Sequence, residues 1–347
     1  MIREVSIQNF KSLRAVRLGL ERFTVFVGPN ASGKTSVLQA IDHLCHSASP
    51  HLQYDPTTLA PWMSRDATER VELIGNSEVC AFRCYFPNKS IRRNTDSPPW
   101  ELMQSNREIA QHVDSEQWED WRPESKKLDP LPRAVLLRLE ASKLIPADAN
   151  PIDDTVMTPD GTGLHSALAA MTLNDPDSWK LLQADLCKII PTMVRLRHTK
   201  PTKGVASLLF DTLGARGLSA SQVSEGTLLV LGLLAALYAA DRPSVILLDD
   251  LDRGLHPRAQ RDLIDLLRGL LATNPDLQIV ATTHSPYLLD CIEPQEVRMT
   301  YLRDDGSTAC DSLMNHPKFE KWKSEMDSGE MWSLFGEEWV AKAGVAG

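Results

Sequence analysis

Two glycines, a lysine and a threonine stand close together in Gly28-Pro29-Asn30-Ala31-Ser32-Gly33-Lys34-Thr35. Gly28 and Gly33 let the backbone curl round an anion so that successive amides point inward, and Lys34 reaches the outer phosphates as a point charge. Thr35 supplies a hydroxyl for Mg²⁺. The expected contacts to a nucleoside triphosphate, ATP, are therefore Asn30, Ala31, Ser32, Gly33, Lys34, Thr35 and Ser36. An ordinary glycine turn would explain the eight residues alone. It would not explain their flanks: the apolar run Phe23 to Val27 enters the loop, and Val37, Leu38 and Ile41 leave it at helical spacing.

Further groups suited to phosphoryl chemistry end two distant apolar runs. Asp249 and Asp250 follow Ser244 to Leu248, and His284 follows Leu277 to Thr282. Asp249 fits the acidic partner of a phosphate loop, holding Mg²⁺ directly or through water; the alternative is a carboxylate that caps a turn. Asp250 is placed to accept a proton from an attacking water. His284 could contact the γ-phosphate or that water, or be a core histidine. A third stretch, Ser224-Glu225-Gly226-Thr227, offers a hydroxyl and amides at a helix N-terminus, which suits an anion and equally suits an ordinary N-cap.

The elements that must position these groups follow from periodicity. Ile2 to Ile7 and Ala15 to Leu20 read as an antiparallel pair leading into the loop strand, with Asn9-Phe10-Lys11-Ser12-Leu13 as the turn. Lys11 and Ser12 could reach a nucleotide on the loop; a solvated hairpin turn accounts for them as well. Arg70 to Ile74 and Glu78 to Phe86 read as a hairpin across Gly75-Asn76. Leu164 to Met171 and Asp175 to Ile190 read as helices with Asp160 and Asp175 as N-caps, and Met193 to Arg197 and Ala206 to Asp211 as strands. Buried strands alternate with helices from Ser244 onward, including Pro257 to Leu271, which implies a mostly parallel α/β sheet with its ligand at the strands' carboxyl ends.

The expected organisation is a nucleotide-binding core in two parts, residues 1–139 and 226–347, with a mainly helical lobe at 140–225 between them. Within the first part, Lys89, Arg92 and Arg93 form a basic loop near Trp100, Trp118 and Trp121; Lys200 and Lys203 form a basic turn in the lobe. The Lys89 to Arg93 loop is the candidate nucleic-acid contact of the first half, although a basic loop is more often simply solvated. The net charge of -9 argues against broad, nonspecific attraction to nucleic acid and leaves a local basic groove open. The six cysteines lack a C-x-x-C pair or a histidine set at zinc spacing and read as reduced thiols. The start, Met1-Ile2-Arg3-Glu4, shows no signal-peptide pattern, and the apolar run Leu228 to Ala240 is too short to cross a bilayer. A cytoplasmic location is expected.

In order along the chain, Asn9 to Leu13, Gly28 to Thr35, Ser224 to Thr227, Asp249 to Pro257 and Thr283-His284-Ser285-Pro286 together resemble the ABC-type ATPases of the SMC, RecF and OLD group. The resemblance implies a P-loop NTPase fold with an N-terminal antiparallel portion and an inserted helical lobe. It also implies an ATP sandwich, in which Ser224 and Gly226 of one head contact the γ-phosphate on the loop of a second copy. At the position of Asp250 the group usually has a glutamate as catalytic base. Aspartate is one methylene shorter, so the departure bears on hydrolysis more than on binding. The coupling glutamine of the group has no clear counterpart, Gln53 being one of several candidates. OLD proteins carry a Toprim nuclease domain after the ATPase head, and the stretch following His284 is too short to hold one. The aromatic residues Phe319, Trp322, Trp332, Phe335 and Trp339 near the end would complete a core or dock a partner. The resulting expectation is a head that dimerises around ATP and regulates a separate effector, such as a nuclease, in bacterial antiviral defence. Direct DNA binding in repair, and an ATP-gated scaffold with little hydrolysis, are its rivals.

Overall fold

A computed structural model of the chain describes residues 1–47, 71–77, 80–86, 101–106, 119–120, 132–146, 156–199 and 207–342. The basic loop of Lys89, Arg92 and Arg93 with Trp100, Trp118 and Trp121, the basic turn of Lys200 and Lys203, and Gln53 lie outside them. The chain divides into two compact units. The first comprises Met1–Leu136, Pro243–Asp250 and Pro275–Gly347, and the second comprises Leu137–Arg242 and Leu251–Asn274.

The first unit opens with β1 (Ile2–Phe10) and β2 (Leu13–Gly19), paired antiparallel so that Phe10 faces Leu13 across the two-residue turn Lys11-Ser12. Ile2, Val5, Ile7 and Phe10 of β1 and Val16 and Leu18 of β2 are buried, the alternation expected when one face of a sheet covers a core. After β3 (Phe23–Val27) and α1 (Lys34–Ser47), β4 (Val71–Ser77), β5 (Cys80–Phe86), β6 (Glu101–Asn106) and β7 (Glu119–Asp120) extend this sheet in the order β2-β1-β4-β5-β6-β7. Gly75-Asn76 is not the turn of this hairpin, since β4 runs through both residues to Ser77. Gly75 instead pairs with Val5 and Phe82 inside the sheet, and a Cβ on it would lie 2.4 Å from a methyl carbon of Leu44. The glycine marks the close approach of α1 to the strand, a second common use of glycine within strands.

The second sheet of this unit collects β8 (Ala134–Leu137), β11 (Val245–Leu248), β12 (Gln278–Thr282), β13 (Val297–Leu302) and β14 (Thr308–Ser312) around β3, in the order β14-β13-β3-β12-β11-β8. β13, β3, β12 and β11 run parallel and β14 antiparallel to β13. Every residue of β3, β11 and β12 is buried, as a sheet covered on both faces requires. This is the α/β P-loop architecture with a mostly parallel sheet and an N-terminal antiparallel portion.

The second unit holds α2 (Ala141–Leu144), α3 (Leu164–Asn174), α4 (Pro176–Ile189), the hairpin β9 (Met193–His198) and β10 (Leu208–Thr212), α5 (Glu225–Tyr238) and α6 (Pro257–Thr273). The sequence division gave 226–242 and 251–274 to the nucleotide core, whereas here they belong to the helical unit. α5 is apolar nearly all round, from Leu228 to Leu237, and buries that surface against the other helices of its unit. Asp175 caps α4 by accepting the amide of Ser178. Asp160 does not cap α3, whose N-cap is Gly163; its carboxylate accepts the Thr162 amide and orders the preceding turn. Back in the first unit, the final segment adds α7 (Pro286–Leu289), α8 (Phe319–Trp322) and α9 (Ser328–Phe335). Its aromatic residues pack on one another: His316 stacks on Phe335 at 5.1 Å, and Trp339 meets His316 edge-on.

Candidate nucleotide site

In the first unit the phosphate loop connects the carboxyl end of β3 to the first turn of α1. Gly28 has φ 146° and Gly33 φ 100°, and Ala31 between them is also left-handed at 62°. The loop is thus held in a conformation that glycine adopts freely and alanine does not. Asn30 and Ala31 are exposed, Ser32 and Lys34 buried, and Gly33, Thr35 and Ser36 half-buried. The Lys34 ammonium donates to the carbonyls of Gly28 at 2.9 Å and Pro29 at 2.7 Å, which holds it across the mouth of the loop.

At the end of β11 the carboxylate of Asp249 accepts two hydroxyls, from Thr35 at 3.0 Å and from Thr282 at 2.8 Å. Thr282 also accepts the amide of Asp250 at 2.8 Å, so one threonine ties both acidic positions to the end of β12. Neither periodicity nor motif singles it out; it is simply the last residue of the strand before Thr283-His284. Asp250 takes a left-handed conformation, φ 54°, which aspartate tolerates better than most residues. Its carboxylate lies 3.8 Å from the His284 imidazole, and both side chains are substantially exposed. Phosphate loop, Asp249, Asp250 and His284 therefore converge at the carboxyl ends of β3, β11 and β12.

The oxygen set fits a small, hard cation. A threonine hydroxyl and an aspartate carboxylate that converge from separate elements beside a phosphate cradle are the donors Mg²⁺ uses, with water and phosphate completing its shell. Thr35 and Asp249 are the residues that would hold it.

Lys11 and Ser12 occupy the β1–β2 turn. Lys11 is left-handed, φ 55°, and its ammonium donates to the side-chain carbonyl of Gln39 on α1, a partner the sequence did not suggest. The Ser12 hydroxyl lies 2.8 Å from that of Thr308 on β14.

In the second unit Ser224 is the N-cap of α5, its hydroxyl accepting the Thr227 amide at 3.3 Å and meeting the Thr227 hydroxyl at 2.8 Å. A Cβ on Gly226 would fall 2.2 Å from the carbonyl oxygen of Gly254, so only glycine lets the loop after β11 lie on this helix start. Arg253 of that loop pairs with Glu225 at 2.8 Å.

Comparison with known proteins agrees with this fold. Residues 89–290, more than half of the chain, match a family described as "AAA domain, putative AbiEii toxin, Type IV TA system", and residues 1–127 match an AAA ATPase domain. The DNA replication and repair protein RecF of Acinetobacter baumannii (strain SDF) is 24% identical over 77% of this chain and 88% of its own. The OLD nuclease of Thermus scotoductus is 21% identical over 92% of this chain and 67% of its own. A shorter match, 34% identical over 24% of this chain and 21% of the relative, is to the Septu protein PtuA of Bacillus thuringiensis. Among solved structures, the SMC head bound to the C-terminal winged-helix domain of ScpA superposes with a TM-score of 0.60 at 15% identity, covering 92% of this chain and 99% of that one. The chain belongs to this AAA domain family and is an ABC-type ATPase of the SMC, RecF and OLD-like group.

Proposed function

We propose that this protein binds ATP with Mg²⁺ on the loop Gly28 to Ser36, dimerises head to head around it, and uses that cycle to regulate a separate effector protein. The observation that carries the reading is the convergence of Thr35 and Asp249 on one point beside the phosphate loop. Bound there, Mg²⁺ would neutralise charge that develops on the phosphates. The loop amides and Lys34 orient the triphosphate. Asp250 accepts the proton of the attacking water, and His284, adjacent to it, holds that water or the γ-phosphate. Ser224 and Gly226 of a second copy close the site through the hydroxyl and amides of a helix N-terminus. Because Asp250 is one methylene shorter than the usual glutamate, turnover is slow.

The effector is proposed to be a nuclease, in line with the OLD nuclease likeness. The family's link to a toxin of a type IV toxin–antitoxin system, together with the PtuA match, supports a role in bacterial antiviral defence. The proposed role is cytoplasmic; among the described residues no helix is long and apolar enough to cross a membrane. The RecF likeness over most of the chain favours one rival, direct DNA binding in repair, whose signature would be a DNA affinity that falls steeply with salt. Calorimetry with ATP and Mg²⁺ tests the core reading: wild type should bind and Lys34→Ala should not. Retained binding in that variant overturns the loop assignment. A mass measurement of the protein purified with its partner, with and without ATP, tests the dimer and the effector.

A further inference from the structure

Ser32 is fully buried and is held at both ends by threonines from the hairpin β13–β14. Its carbonyl accepts from the Thr308 hydroxyl at 3.0 Å, and its own hydroxyl lies 2.6 Å from that of Thr300, which in turn donates to the carbonyl of Val27 at 3.0 Å. A carbonyl can only accept and a hydroxyl has one proton to give. The Ser32 hydroxyl therefore donates to Thr300, which donates to Val27, while the single proton of Thr308 faces both the Ser32 carbonyl and the Ser12 hydroxyl, at 3.0 and 2.8 Å. Thr300 and Thr308 are 0% and 1% exposed, so water cannot replace either partner.

The two loop glycines are fitted to the same threonines. A Cβ on Gly28 would lie 2.2 Å from the Thr300 carbonyl oxygen and 2.5 Å from its hydroxyl, and one on Gly33 would lie 2.4 Å from the Thr308 hydroxyl. The hairpin tip is itself fixed to the β1–β2 turn. The Thr308 amide donates to the Ser12 carbonyl at 2.8 Å, Arg14 donates to the Asp305 carbonyl at 2.9 Å, and the Asp305 carboxylate accepts the Ser307 amide at 2.8 Å.

We propose that Thr300 and Thr308 are positioning residues for the nucleotide. The hairpin β13–β14 sets the backbone of the phosphate loop before any phosphate arrives, so that its amides already face inward. Such preorganisation lowers the ordering cost of binding. The inference rests on the reading that this loop binds ATP.

The experiment measures ATP affinity by calorimetry, KM and kcat by phosphate release, and melting without nucleotide, on the full chain. Thr308→Val keeps the shape of the side chain and removes its hydroxyl; it is expected to weaken ATP binding about tenfold, the scale of one buried hydrogen bond, with the loss appearing in KM rather than kcat. Thr308→Ser, which restores the hydroxyl, should bind within about twofold of wild type on the same scale. Thr300→Val, which removes the hydroxyl that accepts from Ser32 and donates to the Val27 carbonyl, should weaken binding in the same direction. Wild-type affinity in Thr308→Val, or equal impairment in Thr308→Ser, overturns the proposal. If Thr308→Val does not fold, Thr300→Val decides, and wild-type affinity there overturns it. A wild-type protein that fails to bind ATP overturns the loop reading itself, whereas normal wild-type binding with unaffected variants overturns the positioning role alone.

Discussion

The Thr35 hydroxyl donates to the Asp249 carboxylate over 3.0 Å, although 214 residues separate them in the chain. Thr35 stands in the first turn of α1 and Asp249 just past β11, and β3, β12 and β11 are adjacent parallel strands. Parallel strands end on the same side of a sheet, so the groups that leave them gather there. Thr282, at the end of the strand between, completes the arrangement by donating to the same carboxylate.

The proposed sandwich predicts a separation of binding from assembly. Ser224 is a small N-cap residue at the start of α5. Ser224→Arg places a bulky cation there and should leave ATP bound to each subunit while blocking the ATP-dependent dimer. Light scattering with ATP and Mg²⁺ provides the check; a dimer of wild-type strength would show that Ser224 does not face a second nucleotide.

Proposed catalysis by Asp250 makes a prediction with two arms. Asp250→Asn should trap an ATP-bound dimer and lower phosphate release by about two to four orders of magnitude, the usual worth of general-base assistance, measured against the wild type's slow rate. Asp250→Glu should raise turnover by extending the carboxylate. It should also lower the melting temperature slightly, because φ 54° suits aspartate better than glutamate and the penalty is about 1 kcal/mol. The rival base is Asp252, two residues further along the chain: unchanged hydrolysis in Asp250→Asn, with loss in Asp252→Asn, would assign the role to it.

The β9–β10 hairpin supplies a pH dependence. Asp211 is buried between Arg197, at 2.7 Å, and Arg195, at 3.3 Å, and accepts the Gly217 amide at 2.9 Å. The hydrogen bond from Arg197 foremost, then that amide, holds its carboxyl well below the usual carboxylate range. A depressed folded-state pKa stabilises the fold above the unfolded value, about 3.9, and that stabilisation is lost as pH falls through the folded one. Asp211→Asn should therefore melt below wild type at neutral pH, with the gap closing in strong acid. Equal melting temperatures at neutral pH would remove the ion pair from any structural role.

Much of this protein was determined by sequence alone, because its strongest signals are local. The phosphate loop carries its own chemistry in eight consecutive residues, and β3, β11 and β12 are apolar throughout because both their faces are covered. Asp249, Asp250 and His284 were legible because each ends such a strand. What the tertiary structure decided are relations between residues far apart. Gly75 read as a turn because a glycine beside asparagine usually marks one; its pairing with Val5 and Phe82 makes it a strand residue, and the packing of Leu44 over β4 requires it to be glycine. Thr300 and Thr308 look like ordinary strand threonines, since nothing within their own segments records that Ser32 lies across a neighbouring strand. Residues 226–242 and 251–274 read as nucleotide core because they border and alternate with its strands, yet order along the chain does not say which unit a helix packs into.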